Sequence, residues 1–253
     1  MLNAAKKAAL EAGKIQLKYF KSNKIKDLKL KDSIVTRADL ESEKAILDII
    51  RKKFPTHNIF SEEIGKIDVG SEYTWLIDPL DGTTNFTKGN PLFATSIALI
   101  KDNEPIVGVV YNPVLDEMYW AEKGGGAFLN REPIKVSSRK EVKGSYIVMC
   151  EGNHKDLKRS TKLWQVLGPK VKDIRKLGSA ALECVYVAAG KADIFITTQI
   201  NPYDVGAGIL LIREAGGKAT DFQGNPWPLD KVEDFIGTNG KLQDQVVRLI
   251  SKY

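Results

Sequence analysis

The sequence predicts a layered α/β fold in which sheets lie between helices. In the first half, apolar patterns of period two follow one another with only turn residues between them. In the second half, strand and helix patterns alternate. At 253 residues and 43% hydrophobic content, the chain can bury a substantial core, as one large α/β unit or as two closely packed halves. It contains no internal repeat and no linker-like stretch. It is therefore read as a single unit over 1–253, with an N-terminal half of about 1–140 packed on a C-terminal half of about 141–253.

Taken in order, Ala5, Ala8, Ala12, Ile15 and Tyr19 recur at three- and four-residue spacing and predict a helix over 3–21. A second helix, marked by Leu40, Leu47, Ile50 and Phe54, follows Thr36 and Asp39, which fit a capping box, and ends near Pro55. Strands are predicted over 58–61, 73–77, 93–100, 106–111 and 117–121. Turn residues at 102–105 and 112–113 join neighbours, so these strands form an antiparallel meander. Gly124-Gly125-Gly126 reads as a hairpin turn before Ala127, because neither a helix nor a Lys-Ser/Thr pair follows it as a phosphate loop requires. Beyond residue 140 come strands over 146–149, 171–174, 192–197 and 234–236, and helices over 155–167, 179–189, 203–215 and 242–250.

The N-terminus lacks the apolar core and cleavage site of a signal peptide, and no apolar run spans a bilayer, so a soluble, cytoplasmic protein without membrane contact is expected. Cys150 and Cys184, the only cysteines, have neither CxxC spacing nor a histidine partner and read as reduced thiols. His57 and His154 stand apart from every motif and read as surface or packing residues. The net charge of +6 is partly concentrated in Lys21, Lys24, Lys26, Lys29 and Lys31. Such a cluster is usually a solvated loop; it could also steer anions or bind nucleic acid, although no interleaved aromatics support the latter.

The chemistry lies in Trp75-Leu76-Ile77-Asp78-Pro79-Leu80-Asp81-Gly82-Thr83-Thr84-Asn85-Phe86. An apolar strand delivers Asp78, Pro79 breaks the ladder, and Asp81 projects beside the first acid. Like charges about 4 Å apart repel by roughly 4 kcal/mol at an effective dielectric of about 20, so such neighbours need a cation or a shared proton. All-oxygen donors without His or Cys suit Mg²⁺ better than zinc. Gly82-Thr83-Thr84 offers amides and hydroxyls at a helix start, where a phosphate is favoured. Glu62-Glu63 after a strand and Asp204 in the first turn of a helix add further acids.

Glu62-Glu63, the Asp78–Phe86 stretch, Gly178-Ser179-Ala180-Ala181, and Tyr203-Asp204 leading into Glu214-Ala215-Gly216-Gly217 together resemble the inositol monophosphatase family, part of the magnesium-dependent, lithium-sensitive sugar phosphatases that include fructose-1,6-bisphosphatase-like members. The resemblance implies a five-layer αβαβα sandwich, a homodimer, and a phosphomonoesterase acting on inositol 1-phosphate or a related small phosphorylated metabolite. It also implies two or three Mg²⁺ ions, one held by Glu62, Asp78 and the Leu80 carbonyl, a second by Asp78, Asp81 and Asp204, and a weaker third beside Glu62. Thr83 with Glu62 would orient and deprotonate the attacking water, with Asp81 also in the catalytic set, and the amides of Gly82 and Thr83 would hold the phosphate. Asp39 is read as an outer-shell residue or as a helix cap.

Substrate identity is less legible. Inositol-preferring relatives carry Glu seven residues before the last metal-binding Asp, and dual-activity archaeal ones commonly Arg; here that place falls on Thr197. Thr197 and Gly178, Ser179 and Ala180 are the expected sugar contacts. Lys170, Lys172, Arg175 and Lys176 could reach a second phosphate or form a solvated edge. Fructose 1,6-bisphosphate and phosphoadenosine phosphate are alternative substrates, and an RNA- or transcription-complex-binding module is the alternative from another class.

Overall fold

The computed structural model describes residues 1–20, 27–30, 33–151 and 157–251. In chain order the elements are α1 (Leu2–Phe20), β1 (Asp27–Leu30), β2 (Ser33–Thr36), α2 (Arg37–Lys53), β3 (Asn58–Ser61), β4 (Gly65–Ile67), β5 (Tyr73–Asp81), α3 (Thr83–Thr87), β6 (Ala94–Lys101), β7 (Glu104–Asn112), β8 (Glu117–Glu122), β9 (Ala127–Leu129) and β10 (Glu132–Ile134). There follow β11 (Tyr146–Met149), α4 (Leu157–Leu167), β12 (Asp173–Arg175), α5 (Ala180–Ala188), β13 (Ile194–Ile200), α6 (Pro202–Glu214), β14 (Lys218–Thr220), β15 (Glu233–Thr238) and α7 (Gln243–Ile250).

Eight strands form one sheet in the order β10-β9-β8-β7-β6-β5-β3-β4, and five form another in the order β12-β11-β13-β15-β14. From β5 to β10 every pairing is antiparallel, as the turn residues predict, while β3 runs parallel to β5. In the smaller sheet β11 is parallel to β12 and β13, so three carboxyl ends point the same way.

Three buried clusters glue five layers together. On the outer face of the large sheet, the Ala5, Ala8, Ala9 and Ala12 stripe of α1 packs with Ile46 and Ile50 of α2 against Trp75, Ile77, Ile97 and Val109. Between the sheets lie α5 and α6, and the far face of the small sheet is covered by α4 and α7. The expected αβαβα sandwich is present. The central helix lies close to its neighbours because it carries glycine: a Cβ on Gly206 would come 2.8 Å from Leu76 Cδ1, and one on Gly208 2.3 Å from Cys184 Cβ.

Some expectations need correction. Pro79 does not end its strand: β5 continues to Asp81, and a register shift against β6 between Asp78 and Asp81 absorbs the missing donor as a bulge. Part of the lysine-rich stretch read as a loop forms the β1–β2 hairpin, while Lys21, Lys24, Lys26, Lys31 and His154 lie outside the described residues. The strands β4 and β14 were not read at all, since three residues are too few to show a period of two. The triple glycine is a turn, with left-handed φ at Gly124 and Gly126. Its amides do hold an anion, but an internal one: Gly124 and Gly126 donate to the Glu214 carboxylate at 2.8 and 2.9 Å, tying the end of α6 to this turn.

Candidate active site

The bulge on β5 brings Asp78 and Asp81 to one place, and the first turn of α6 brings Asp204. Each of the three acids offers an oxygen, and these oxygens all lie within 4.8 Å of one another. Separate hydrogen bonds fix each carboxylate. Asp78 Oδ1 accepts from the Leu80 amide at 3.0 Å. Asp81 Oδ2 accepts from the Ser179 hydroxyl at 2.5 Å and the Ala181 amide at 2.7 Å, so it caps the start of α5 across the interface between the two sheets. Asp204 Oδ2 accepts from the amide and side chain of Asn201 at 3.0 and 3.3 Å.

Glu62 approaches on the turn between β3 and β4, its amide bonded to the Ile77 carbonyl at 3.1 Å. The residue is exposed, yet protein packed around its carboxyl and the charges of Asp204 and Glu63 push it up to about 9. Burial raises Asp78 well above the carboxylate range, with Glu62, Asp81 and Asp204 adding to the effect. Asp204 rises to about 7 through burial and the charge of Asp81. Asp81 rises to about 6 through burial, opposed by its bonds to Ser179 and Ala181. Four acids held this way are short of positive charge, and the donor set is all oxygen. That is the fit a hard divalent cation such as magnesium requires.

Gly82 turns the chain from the bulge into α3 with φ 91°, a conformation glycine adopts without strain. A Cβ there would sit 3.0 Å from the Leu92 carbonyl and 3.1 Å from that of Gly178. Thr83 follows, its hydroxyl within hydrogen-bonding distance of Asp39 Oδ1 at 3.1 Å and of the Leu80 carbonyl at 3.0 Å. Asp39 is the helix cap considered for it, and its second oxygen is turned toward Thr83. Its Oδ2 caps α2, taking the Thr36 amide at 2.8 Å and hydroxyl at 2.5 Å, and its Oδ1 faces Thr83. The Leu80 carbonyl retains a second lone pair for a cation.

The expected sugar contacts fare differently. Thr197 is fully buried on β13, where the Cys150 thiol lies 3.2 Å from its hydroxyl, so it presents nothing to a ligand. Ser179 and Ala180 are buried too, and the Ser179 hydroxyl is spent on Asp81 and on the Leu182 amide. Of that trio only Gly178 is partly exposed. Among the basic residues upstream, Arg175 pairs with Asp173 and Lys176 with Glu151, while Lys170 and Lys172 are exposed. His57 is a packing residue, stacked between Phe54 and Tyr73 and accepting from the Trp75 indole at 3.1 Å.

Residues that the sequence did not single out hold the site together. Asn85 Nδ2 reaches the carbonyls of Leu92 and Leu177, each at 2.7 Å, tying α3 to the Gly178 segment. Glu183, fully buried on α5, accepts from the amides of Leu177 and Gly178 at 2.9 and 3.3 Å. Gln16 of α1 donates to the Pro79 carbonyl at 2.6 Å, behind the bulge. Only Asn85 had a visible signal, its place in the Asp78–Phe86 stretch.

Comparison with known proteins agrees with this geometry. A fructose-1,6-bisphosphatase/inositol-1-monophosphatase of Thermotoga maritima is 42% identical over 87% of this chain and 83% of its own length. The Nus factor SuhB of Escherichia coli is 39% identical over 88% of this chain and 86% of its own. The solved inositol monophosphatase of Anabaena superposes with a TM-score of 0.87 at 37% identity, covering 99% of this chain and 95% of that one. The profile of the inositol monophosphatase family matches residues 1–253, and the chain belongs to that family.

Proposed function

We propose that this protein is a magnesium-dependent phosphomonoesterase that hydrolyses inositol 1-phosphate or a related small sugar phosphate. The observation that carries the reading is the meeting of acids from β5 and α6, with Glu62 at their side, next to a threonine hydroxyl that is itself paired to a buried aspartate. Family membership and relatives with inositol monophosphatase and fructose-1,6-bisphosphatase names support it.

In this reading Glu62, Asp78, Asp81, Asp204 and the Leu80 carbonyl hold two or three Mg²⁺ ions per site. When bound, such ions neutralise charge on the phosphoryl group and bring water into a reactive state near neutral pH. The protein's own part is positional and protic. Asp39 takes the Thr83 hydroxyl proton as a hydrogen bond, which turns the Thr83 lone pairs toward an incoming water. With the ions bound to neutralise the neighbouring acids, Glu62 would be a deprotonated carboxylate and would accept a proton from that water. The amides of Gly82 and Thr83 serve the phosphate oxygens.

The whole chain acts as one unit in this reading, as a cytoplasmic homodimer. Fructose 1,6-bisphosphate remains in the substrate set because of the dual-named relative. Phosphoadenosine phosphate stands lower, because Thr84-Asn85-Phe86 lacks the Lys-Glu more usual in those enzymes. A second reading, transcription-complex binding, is favoured by the Nus factor name of a 39% identical relative. Phosphate release from a panel of sugar, polyol and nucleotide phosphates, with and without magnesium, separates the readings. Metal-dependent turnover of a sugar or polyol monoester is expected; silence across the panel, with RNA binding that survives Asp81→Asn, would support the second reading.

A further inference from the structure

Glu62 reaches the cleft on a turn, and that turn is gripped from behind by a residue outside the acidic cluster. Glu43 lies one helical turn after Asp39 on α2, and this spacing puts both side chains on one face. Its side chain is buried, and its Oε1 accepts three hydrogen bonds, from the Ser61 hydroxyl and from the amides of Glu63 and Ile64, both amides at 3.2 Å. These donors bracket Glu62 on both sides. A carboxylate that satisfies consecutive amides does for a turn what a cap does for a helix: it removes alternative conformations.

The choice of an acid here has a cost. A leucine would fill the same place in α2 without the desolvation that a buried carboxylate suffers. Among the described residues, that cost is offset through the bonds to the Ser61–Ile64 segment. Asp78, Asp81 and Asp204 are placed by a strand bulge and a helix start, whereas Glu62, its own amide bonded to Ile77, sits on a turn whose flanks on both sides bond to Glu43.

We propose that Glu43 is a positioning residue that preorganises Glu62 for a divalent cation without touching the ion. The assignment rests on the metal-dependent reading above. It differs from a purely structural role in one respect: cation affinity follows the acceptor at position 43, independently of fold stability.

The test is titration of the purified protein with Mn²⁺, read by electron paramagnetic resonance, so that binding is measured apart from turnover. Glu43→Met keeps the length and packing but removes the acceptor, and is expected to weaken Mn²⁺ binding about tenfold, in the range found for residues behind metal ligands. Glu43→Gln retains a carbonyl oxygen in the same place and is expected to restore binding to within about threefold of wild type. Should the Met variant not fold, Ser61→Ala removes one of the three donors with little change in packing, and is expected to shift affinity the same way by a smaller factor. Wild-type Mn²⁺ affinity in a folded Met or Ser61→Ala variant overturns the assignment, as does equal weakening by Met and Gln. A wild-type protein that binds no Mn²⁺ overturns both the assignment and the reading beneath it.

Discussion

Each acid in the cleft is useful because something else restrains it. Asp81 is restrained by the start of α5, so Ser179→Ala, which deletes the 2.5 Å bond to Oδ2, is expected to raise the magnesium concentration for half-maximal activity about tenfold while kcat at saturating metal changes less. An unchanged metal requirement would remove Ser179 from the site's support. Asp81→Asn and Asp204→Asn take away the charge itself and are each expected to lower kcat at least about 100-fold in a folded protein; near-normal turnover in either would contradict the assignment. Thr83→Ala removes the hydroxyl paired with Asp39, and a fall in kcat of about 10²-fold or more with KM little changed is expected. A change confined to KM would make Thr83 a binding group.

The elements matter through their ends and irregularities. The β5 bulge, the left-handed Gly82 and the first turns of α5 and α6 all point into one cleft. Gly82→Ala puts a methyl group within 3.0 Å of the Leu92 carbonyl at φ 91°, and a loss of about 2 kcal/mol is expected, seen as a fall in Tm of about 4–8 °C. Unchanged Tm and activity would show that this turn is more tolerant than its geometry indicates. The long helices and β5 to β8 were legible because apolar period and turn residues agree over many residues. The β1–β2 hairpin, β4 and β14 were not, being short pairings that take their conformation from partners. The four acids were legible from turn-rich motifs and family resemblance. Glu43 and Glu183 were not, because an acid within a helical pattern reads as solvent-facing until packing shows where it points. Thr197 failed for the opposite reason: counting back from Asp204 says nothing about β13 being buried on both faces.

At the scale of the whole molecule, the cleft is a store of repulsion that the fold tolerates. With no metal, Asp81, Asp204 and Glu62 hold protons up to about 6, 7 and 9, whereas the unfolded chain releases them near pH 4. Between those limits the native state binds more protons than the unfolded one, so metal-free stability is greatest at the acid end and falls as pH rises through the raised values. The Tm of metal-free protein is expected to be lower at about pH 8.5 than at about pH 5.5, and magnesium to raise it more at the higher pH. A metal-free Tm that climbs across this window would mean that the acids are not under strain.

If these carboxylates converge to share divalent cations, anomalous diffraction from crystals soaked in Mn²⁺ will show strong peaks in contact with Asp78, Asp81, Asp204 and Glu62 together; no peak among these acids, or Mn²⁺ bound only elsewhere on the surface, would contradict that convergence.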